Sequence, residues 1–273
     1  MNGKPVTALN VWVEGIGAWA PGIPDWAHLR ALLRDQAAGP DAGAPARPTP
    51  AALPPGERRR APVGVLIAIE AAAQAVAMSG RDAATLPCIF ASAHGDAGIM
   101  DYMCATLAQT PREMSPTRFH NSVHNAAAGY WTIAAACHAA STAVSARAES
   151  FGASLLEAAV QVAAEGQAVL LVASDVPGAG PLGEMIDSTE PFGCALVLAP
   201  AASAATVARL DLFLHSASGA TAARHPHAQA LAATNLSARG LPLLEALAAA
   251  GTATLDLPAS PTLGLTIHTE VNP

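Results

Sequence analysis

Two histidine–asparagine pairs lie within the stretch TRFHNSVHNAAAGY, which spans residues 117–130. His120 and His124 are four residues apart, so on one helix their imidazoles would share a face. Asn121 and Asn125 would lie beside them. An imidazole can transfer protons in catalysis, whereas an asparagine amide can satisfy buried backbone groups or bond across an interface. The residue types therefore leave three roles open: polar groups that fix loops, contacts to a partner, and catalysis.

Two further histidine clusters contain residue types that can do chemistry. His94-Gly95-Asp96, with Asp101 farther along, resembles part of a hydrolytic triad. His225-Pro226-His227 could chelate a metal ion, but no cysteine or carboxylate partner accompanies it, so we assign no metal. His215 and His268 are interpreted as surface or packing residues.

The four cysteines form no CxxC pair, so their spacing predicts neither a zinc site nor a disulfide framework. They are Cys88, Cys104, Cys137 and Cys194. Buried thiols in a reducing cytosol are the favoured interpretation. We predict no cofactor.

The composition predicts one ordered domain that spans residues 1–273. Hydrophobic residues make up 52% of the chain and charged residues 13%, which is enough apolar side chain for a sizeable core. The net charge is -7 and the compact basic cluster is Arg58-Arg59-Arg60, so nucleic acid is excluded as a partner. The N-terminal residues carry no secretory signal pattern, and no unbroken apolar run reaches about 18 residues. We therefore expect no membrane span and a cytoplasmic location.

The first part of the chain predicts a strand, a helix, a loop and a buried helix. LNVWVEGI, residues 9–16, alternates apolar and polar side chains as a half-buried strand does. Asp25 can cap the amphipathic helix that follows it. Residues 39–62 are rich in Pro, Ala and Gly, which predicts an exposed loop within the domain. The apolar run from Val63 to Met78 predicts a helix buried on most faces, with Gly80 as its C-cap.

The middle of the chain alternates strands and helices. A strand over residues 88–94, a helix that ends at Gly166 and a strand over residues 168–175 together predict a parallel unit. Two further strands, over residues 192–200 and 205–216, are expected to pair antiparallel.

The C-terminal residues 217–273 predict a helical and irregular tail. The stretch PLLEALAAAG has the composition of a helix, and the remainder is sparse in large apolar residues and contains several Pro and Thr. No domain boundary is expected before this tail.

Three motifs resemble a known family. They are ASAHGD directly after the strand that begins at residue 88, SPTRFHNSVHNAAAGYWTIA over residues 115–134, and STAVSARAESFGASLLEAA followed by VLLVASDVP. Over residues 9–200 they resemble the N-terminal half of a β-ketoacyl synthase of the thiolase superfamily. The strongest likeness is to the short ketosynthase-like chain-length factors of aryl-polyene and xanthomonadin-type pathways. The resemblance implies an α/β fold, a thiolase-like N-terminal half with a mixed five-stranded sheet and helices on its faces.

The same resemblance implies that the catalytic elbow is degenerate. In an active ketosynthase the nucleophilic cysteine lies between a buried strand and a long helix, where backbone amides and the helix dipole stabilise the thiolate. This elbow falls at Ala148-Glu149-Ser150, which contains no cysteine. The two catalytic histidines of the family come from the second half of the fold, which we do not expect in this chain. Cys137 lies eleven residues before Ala148 and would need a shifted alignment to serve instead.

The expected function is therefore that of a non-catalytic, chain-length-factor-type subunit. It would pair with an active β-ketoacyl synthase in polyene or fatty-acid-like biosynthesis on acyl carrier protein. One alternative is a stand-alone acyl transferase or hydrolase that uses Ser150 or Cys137 with His120 or His124. Another is a homodimeric scaffold that binds acyl carrier protein alone.

The resemblance also gives the histidine–asparagine segment a place at a subunit interface. In thiolase-fold dimers the segment before the elbow packs against the partner and helps to wall its acyl tunnel. The residues expected at this interface and tunnel are Phe119, His120, Asn121, His124, Asn125 and Tyr130. Arg58, Arg59 and Arg60 are candidates for contact with an acidic carrier protein, and a solvated loop explains them equally well.

A half-fold is expected to leave apolar surface uncovered, which is energetically unfavourable in water. It exposes a face that the second half of a ketosynthase would cover, and apolar surface of that size favours association. We expect the tail to cover part of this face. A partner, either an active ketosynthase or a second copy of the chain, would cover the rest.

Overall fold

A mixed sheet of eight strands forms the centre of the computed structural model of the protein, which describes residues 8–271. The strands are β1 (Leu9–Trp19), β2 (Cys88–Ala91), β3 (Ser141–Val144), β4 (Val169–Asp175), β5 (Phe192–Ala199), β6 (Ala208–Ser216), β7 (Gly251–Pro258) and β8 (Leu263–Val271). Their order in the sheet is β3-β2-β4-β5-β1-β6-β8-β7. β2 pairs in parallel with β3 and β4, and the other neighbours pair antiparallel. The N-terminal residues 1–7, for which no signal pattern was predicted, lie outside the described range.

The helices lie on both faces of this sheet. They are α1 (Trp26–Leu33), α2 (Pro55–Arg60), α3 (Val63–Ser79), α4 (Ala97–Gln109), α5 (Pro116–His120), α6 (Ala126–Ala134), α7 (Ser150–Glu165), α8 (Gly180–Gly183), α9 (Pro226–Thr234) and α10 (Leu241–Ala248). The Asp25 carboxylate accepts a hydrogen bond from the backbone N–H of His28 at 2.9 Å and caps α1. Gly80 and Gly166 end α3 and α7 in the left-handed conformation, at φ 67° and 65°. The predicted ends of these helices are confirmed.

The α/β fold class and the parallel unit are confirmed, but the predicted sheet of five strands is too small. β3, β2, β4, β5 and β1 form a five-stranded mixed sheet, and β6, β8 and β7 extend it beyond β1. The predicted pairing of the strands over 192–200 and 205–216 is wrong. β5 pairs with Trp12–Trp19 and β6 pairs with Leu9–Val13, so β1 lies between them. Each strand offers two edges for hydrogen bonding, and after β5 the chain crosses over β1 so that β6 pairs with its other edge.

The C-terminal tail contains more regular structure than its sequence predicts. α9 and α10 are helices, but β7 and β8 are strands that pair over their whole length, so the irregular part of the prediction is wrong. Alternation is the physical reason: Leu255, Leu257, Leu265 and Ile267 are buried, while polar residues between them face outward. The loop over 39–62 also contains α2, and Leu53 within it is only 2% exposed.

Two apolar layers hold the helices on the sheet. On one face α3 packs on β1, β5 and β4, and α6 packs on α3, β2 and β3. The approach of α3 is close because β1 has glycine at positions 15 and 17, where an added Cβ atom would overlap the carbonyl oxygens of Ala75 and Ala71. On the other face α7, α1 and α10 share a core with β6, β7 and β8.

The tail covers the outer side of α7. A Cβ atom at Gly152, in the first turn of α7, would overlap the carbonyl oxygen of Pro258 at the end of β7. Leu241, Leu244 and Ile267 from the tail are each 0% exposed in the same core. The free apolar surface of the molecule is therefore elsewhere. Among residues 8–271, no helix is long and apolar enough to span a bilayer.

Candidate functional site: the elbow and the adjacent apolar surface

Residues 148–150, the predicted elbow, lie at the junction of β3 and α7. A short 3₁₀ turn over residues 147–149 joins the two elements, with Arg147 at φ 54°. Ser150 is 1% exposed; its hydroxyl donates to the carbonyl oxygen of Arg147 at 2.7 Å and accepts from the N–H of Ala146 at 2.9 Å. Both bonds are made to backbone groups, so this serine braces the turn and no histidine activates it.

Glu149 stands where α7 begins and gives the helix no side-chain cap. It is half-buried, and it belongs to the elbow that the resemblance predicts at residues 148–150. A carboxylate near a helix N-terminus is electrostatically favourable, but it is a far weaker nucleophile toward a thioester than a thiolate.

Cys137 does not replace the missing nucleophile. It lies in the turn between α6 and β3, is 5% exposed, and its Sγ lies 3.3 Å from the carbonyl oxygen of Leu86, to which it donates. Two of the other cysteines are also buried thiols: burial raises the pKa of Cys88, and it raises the pKa of Cys194 to about 12. Cys104 is exposed on α4, which departs from the expectation of four buried thiols.

A buried carboxylate at the end of β4 is a feature that sequence reasoning missed. Asp175 is 4% exposed and accepts hydrogen bonds from Ser92 Oγ at 2.7 Å, the N–H of Ala93 at 2.9 Å and Ser237 Oγ at 2.6 Å. Burial raises its pKa, and the three hydrogen bonds oppose that rise. A lone aspartate that closes the apolar run VLLVAS was the available signal. The network joins β2, β4 and the tail, so its role is structural.

The triad-like cluster over residues 94–96 is a turn and a helix cap. Gly95 adopts φ 67° and donates its N–H to Ser92 Oγ at 2.9 Å. Asp96 accepts from the N–H of Ile99 at 3.0 Å and caps α4. The carboxylate is thereby engaged in local structure rather than in orienting an imidazole.

The two histidine–asparagine pairs do not share a helical face, contrary to the prediction. α5 ends at His120, and residues 121–125 form turns before α6 begins. The His120 ring meets Tyr130 edge-on, with ring centroids 6.3 Å apart. His124 Nε2 donates to the carbonyl oxygen of Ser92 at 2.9 Å. Asn121 is 4% exposed, and its Nδ2 donates to the carbonyl oxygen of Arg60 at 3.2 Å.

An apolar groove of about 510 Å³ opens beside this segment. Its walls come from residues 52–57 and from α5 and α6, and they include Leu53, Phe119, Val123, Tyr130 and Ile133. Phe119, His120, Asn125 and Tyr130, four of the six residues expected at an interface or tunnel, line it. The other two, Asn121 and His124, line a smaller cavity of about 50 Å³ on the far side of the α5–α6 turn.

The groove is part of a wider exposed apolar surface, which we call the apolar face. Of the eleven large hydrophobic side chains exposed in the described chain, seven belong to α4, α5, α6, α8 or the turns beside them. They are Met100, Leu107, Phe119, Val123, Ile133, Leu182 and Met185. Ile133 and Met185 are 81% and 80% exposed. α4 contacts both α5 and α8, and exposed apolar side chains concentrated on neighbouring helices mark an interaction surface.

β3, which follows α6 in the chain, forms one edge of the sheet. Its sequence is STAV, with Ser141 and Ala143 exposed, and it carries no proline or charge that would block pairing with another strand. α2 borders the groove through Glu57. Arg60 forms an ion pair with this residue at 3.6 Å, and Arg58 donates to the carbonyl oxygen of Thr49 at 3.4 Å.

Among residues 8–271, no three His, Cys, Asp or Glu side chains lie close enough together to hold a metal ion. His225 and His227 stack at 5.6 Å between ring centroids, and His225 caps α9 by accepting from the N–H of His227. His215 donates from Nδ1 to the carbonyl oxygen of Ser216, and His268 packs on Phe213.

The fold and the elbow define a ketosynthase-like chain of the thiolase class. A family model described as "Beta-ketoacyl synthase, N-terminal domain" matches residues 33–256, so the chain belongs to this family. No curated protein matches it.

Solved structures of ketosynthase complexes share the fold. One is "Ketosynthase (ApeO) in Complex with its Chain Length Factor (ApeC) from Xenorhabdus doucetiae", 22% identical, covering 94% of this chain and 98% of that one at a TM-score of 0.71. Another is "The ishigamide ketosynthase/chain length factor", 16% identical, covering 97% and 100% at a TM-score of 0.72. A third is a type II polyketide synthase complex of an acyl-carrier protein with its ketosynthase, 13% identical, covering 96% and 99% at a TM-score of 0.73. The resemblance to the β-ketoacyl synthase family is confirmed.

Proposed function

We propose that this chain is a non-catalytic, chain-length-factor-type subunit that pairs with an active β-ketoacyl synthase in the cytoplasm. The pair would build a polyene or fatty-acid-like chain on acyl carrier protein. The observation that carries the proposal is the large exposed apolar face, together with a β3–α7 junction whose serine is bonded to backbone groups.

The elbow supports the non-catalytic part of the proposal. Ser150 bonds to two backbone groups, and Cys137 is buried in the preceding turn. His120 and His124 bond to neither of them, because one ring lies against Tyr130 and the other donates to Ser92. A serine or cysteine hydrolase needs a nucleophile in contact with its base, so the alternative enzyme lacks its central contact.

The apolar face supports the pairing part of the proposal. Burial of apolar surface stabilises association by about 25 cal/mol per Å², so several large side chains together supply several kcal/mol. The open edge of β3 offers backbone hydrogen bonds next to that face. Phe119, Asn125, Tyr130 and Ile133 line the groove that the partner would close, where they would shape the acyl tunnel.

Co-expression with a candidate active ketosynthase from the same organism tests the proposal. We expect a stable one-to-one complex by size exclusion and native mass spectrometry, with condensation activity that requires both chains. Ser150→Ala and Cys137→Ala in this chain should leave that activity intact, because neither side chain takes part in the chemistry. Ser150→Ala should lower the free energy of unfolding by about 1 kcal/mol, since two backbone groups lose their partner.

The enzyme alternative makes the opposite prediction. If the isolated chain turns over acyl thioesters, and Ser150→Ala or Cys137→Ala stops it, the subunit proposal is wrong. A homodimer that binds carrier protein without any ketosynthase would favour the scaffold alternative instead.

Contact with the carrier protein is proposed at α2. Arg58, Arg59 and Arg60 are partly or fully exposed in a chain of net charge -7, and an acidic carrier protein would be attracted to them. The double substitution Arg58→Glu with Arg60→Glu should weaken carrier-protein binding about tenfold or more, measured by surface plasmon resonance at low salt. Arg112→Glu with Arg224→Glu, two exposed arginines elsewhere, is the control. Equal loss in both double variants would show a general charge effect and exclude α2 as the contact.

A further inference from the structure

The segment over residues 116–134, formed by α5, the turn and α6, contains polar groups that the chain does not satisfy by itself. Three buried side-chain nitrogen or oxygen atoms in the described chain lack a hydrogen-bond partner. Two of them, Asn121 Oδ1 and Trp131 Nε1, belong to this segment. The third, His215 Nε2, lies 3.4 Å from the Asp256 carboxylate and so has an electrostatic partner.

The two unsatisfied atoms are of opposite kinds. Asn121 Nδ2 donates to the carbonyl oxygen of Arg60, which fixes the orientation of the amide and leaves Oδ1 as an acceptor. Trp131 is 2% exposed, and its indole N–H is a donor with no acceptor. Native proteins pair nearly all buried polar groups, so two exceptions within eleven residues of each other need a cause.

The same segment has room to move. Val123 and Ala126 line both the 510 Å³ groove on one side and the 50 Å³ cavity on the other. Asn125, at the start of α6, gives the helix no side-chain cap, and Ala136 just after it adopts φ 50°, which is unfavourable for a residue with a Cβ atom. Phe119, Val123 and Ile133 expose 60%, 51% and 81% of their surface.

We infer that residues 116–134 repack when the ketosynthase partner binds, and that the partner supplies a hydrogen-bond acceptor for Trp131 Nε1 and a donor for Asn121 Oδ1. This inference rests on the proposed pairing and goes beyond it. Both atoms are covered in the isolated chain, so a partner reaches them only if the segment shifts into the neighbouring groove or cavity. Arg60 is joined to Asn121, so such a shift also moves the end of α2.

Trp131→Phe tests the inference in the isolated chain. The substitution removes the indole N–H and some packing volume. Trp19→Phe is the matched control, because Trp19 is 3% exposed and carries no covered, unpaired N–H. We expect Trp19→Phe to lower the melting temperature through lost packing, and Trp131→Phe to leave it unchanged or raise it by a few degrees.

The complex with the co-expressed ketosynthase provides the second measurement. Trp131→Phe should raise Kd about tenfold, whereas Trp19→Phe should not change it. Hydrogen exchange of residues 116–134 should slow on pairing, and that of α3 should not. If Trp131→Phe leaves Kd unchanged and both variants lose the same melting temperature, the proposed repacking is wrong. The proposed pairing would still stand. If no complex forms, the proposed function itself fails and the inference falls with it.

Discussion

Ile133→Arg should abolish pairing with the ketosynthase while the isolated chain stays folded. Ile133 is 81% exposed on α6 and lines the apolar groove, so an arginine there meets water in the single chain. In the complex the same guanidinium would be buried among apolar groups without a counter-charge, which is costly. We expect Kd to rise at least a hundredfold, about 2.7 kcal/mol, as measured by isothermal titration calorimetry.

The control for this substitution lies on a different surface. Val160→Arg changes an apolar side chain that is 44% exposed on α7, outside the apolar face. It should leave Kd unchanged, and the melting temperatures of both variants should stay within a few degrees of the original chain. If Ile133→Arg and Val160→Arg pair equally well, α6 is not part of the interface.

Local patterns predict those parts of the fold in which one kind of interaction dominates. The run from Val63 to Met78 predicts α3 because it is apolar on nearly every side, and such a helix has to be buried. Gly80 and Gly166 mark helix ends because the left-handed conformation is cheap for glycine. The resemblance placed the elbow at residues 148–150, and the structure has the β3–α7 junction there.

Features that depend on contacts between residues far apart in the chain could not be predicted from local sequence patterns. β6 pairs with one edge of β1 over Leu9–Val13, and β5 pairs with the other edge over Trp12–Trp19, so the partner of β6 is set by a crossover and not by its own sequence. The groove is formed by residues 52–57 together with α5 and α6, about sixty residues later in the chain. Neither segment alone predicts a concave surface.

The histidine–asparagine segment shows that helical spacing of residues does not by itself predict a helix. Its spacing suits a helix, but Pro116 begins a helix of five residues that ends at His120. Asn121 then turns its amide to Arg60, and His124 turns its ring to Ser92. Side-chain hydrogen bonds to remote backbone groups therefore stabilise the turn after His120. The spacing of residues along the sequence does not predict such bonds.

Gly17→Ala should be the most destabilising single-methyl substitution in the sheet, together with its neighbour Gly15→Ala. A Cβ atom at Gly17 would overlap the carbonyl oxygen of Ala71, which belongs to the backbone of α3 and cannot rotate away. Relief requires α3 to lift from β1, and that would loosen the apolar layer it shares with β4 and β5. We expect a loss of about 3 kcal/mol or more in the free energy of unfolding, at the upper end of overpacking costs, measured by urea denaturation.

Gly129→Ala is the matched control, because it adds the same methyl group where nothing lies within 4 Å. Position 129 is within α6, where alanine is favoured over glycine by about 0.5–1 kcal/mol, so this variant should be as stable as the original chain or slightly more so. The contrast isolates the effect of position from that of the added methyl group. A Gly17→Ala variant as stable as Gly129→Ala would mean that α3 does not rest on the backbone of β1, and the central layer of the fold would have to be revised.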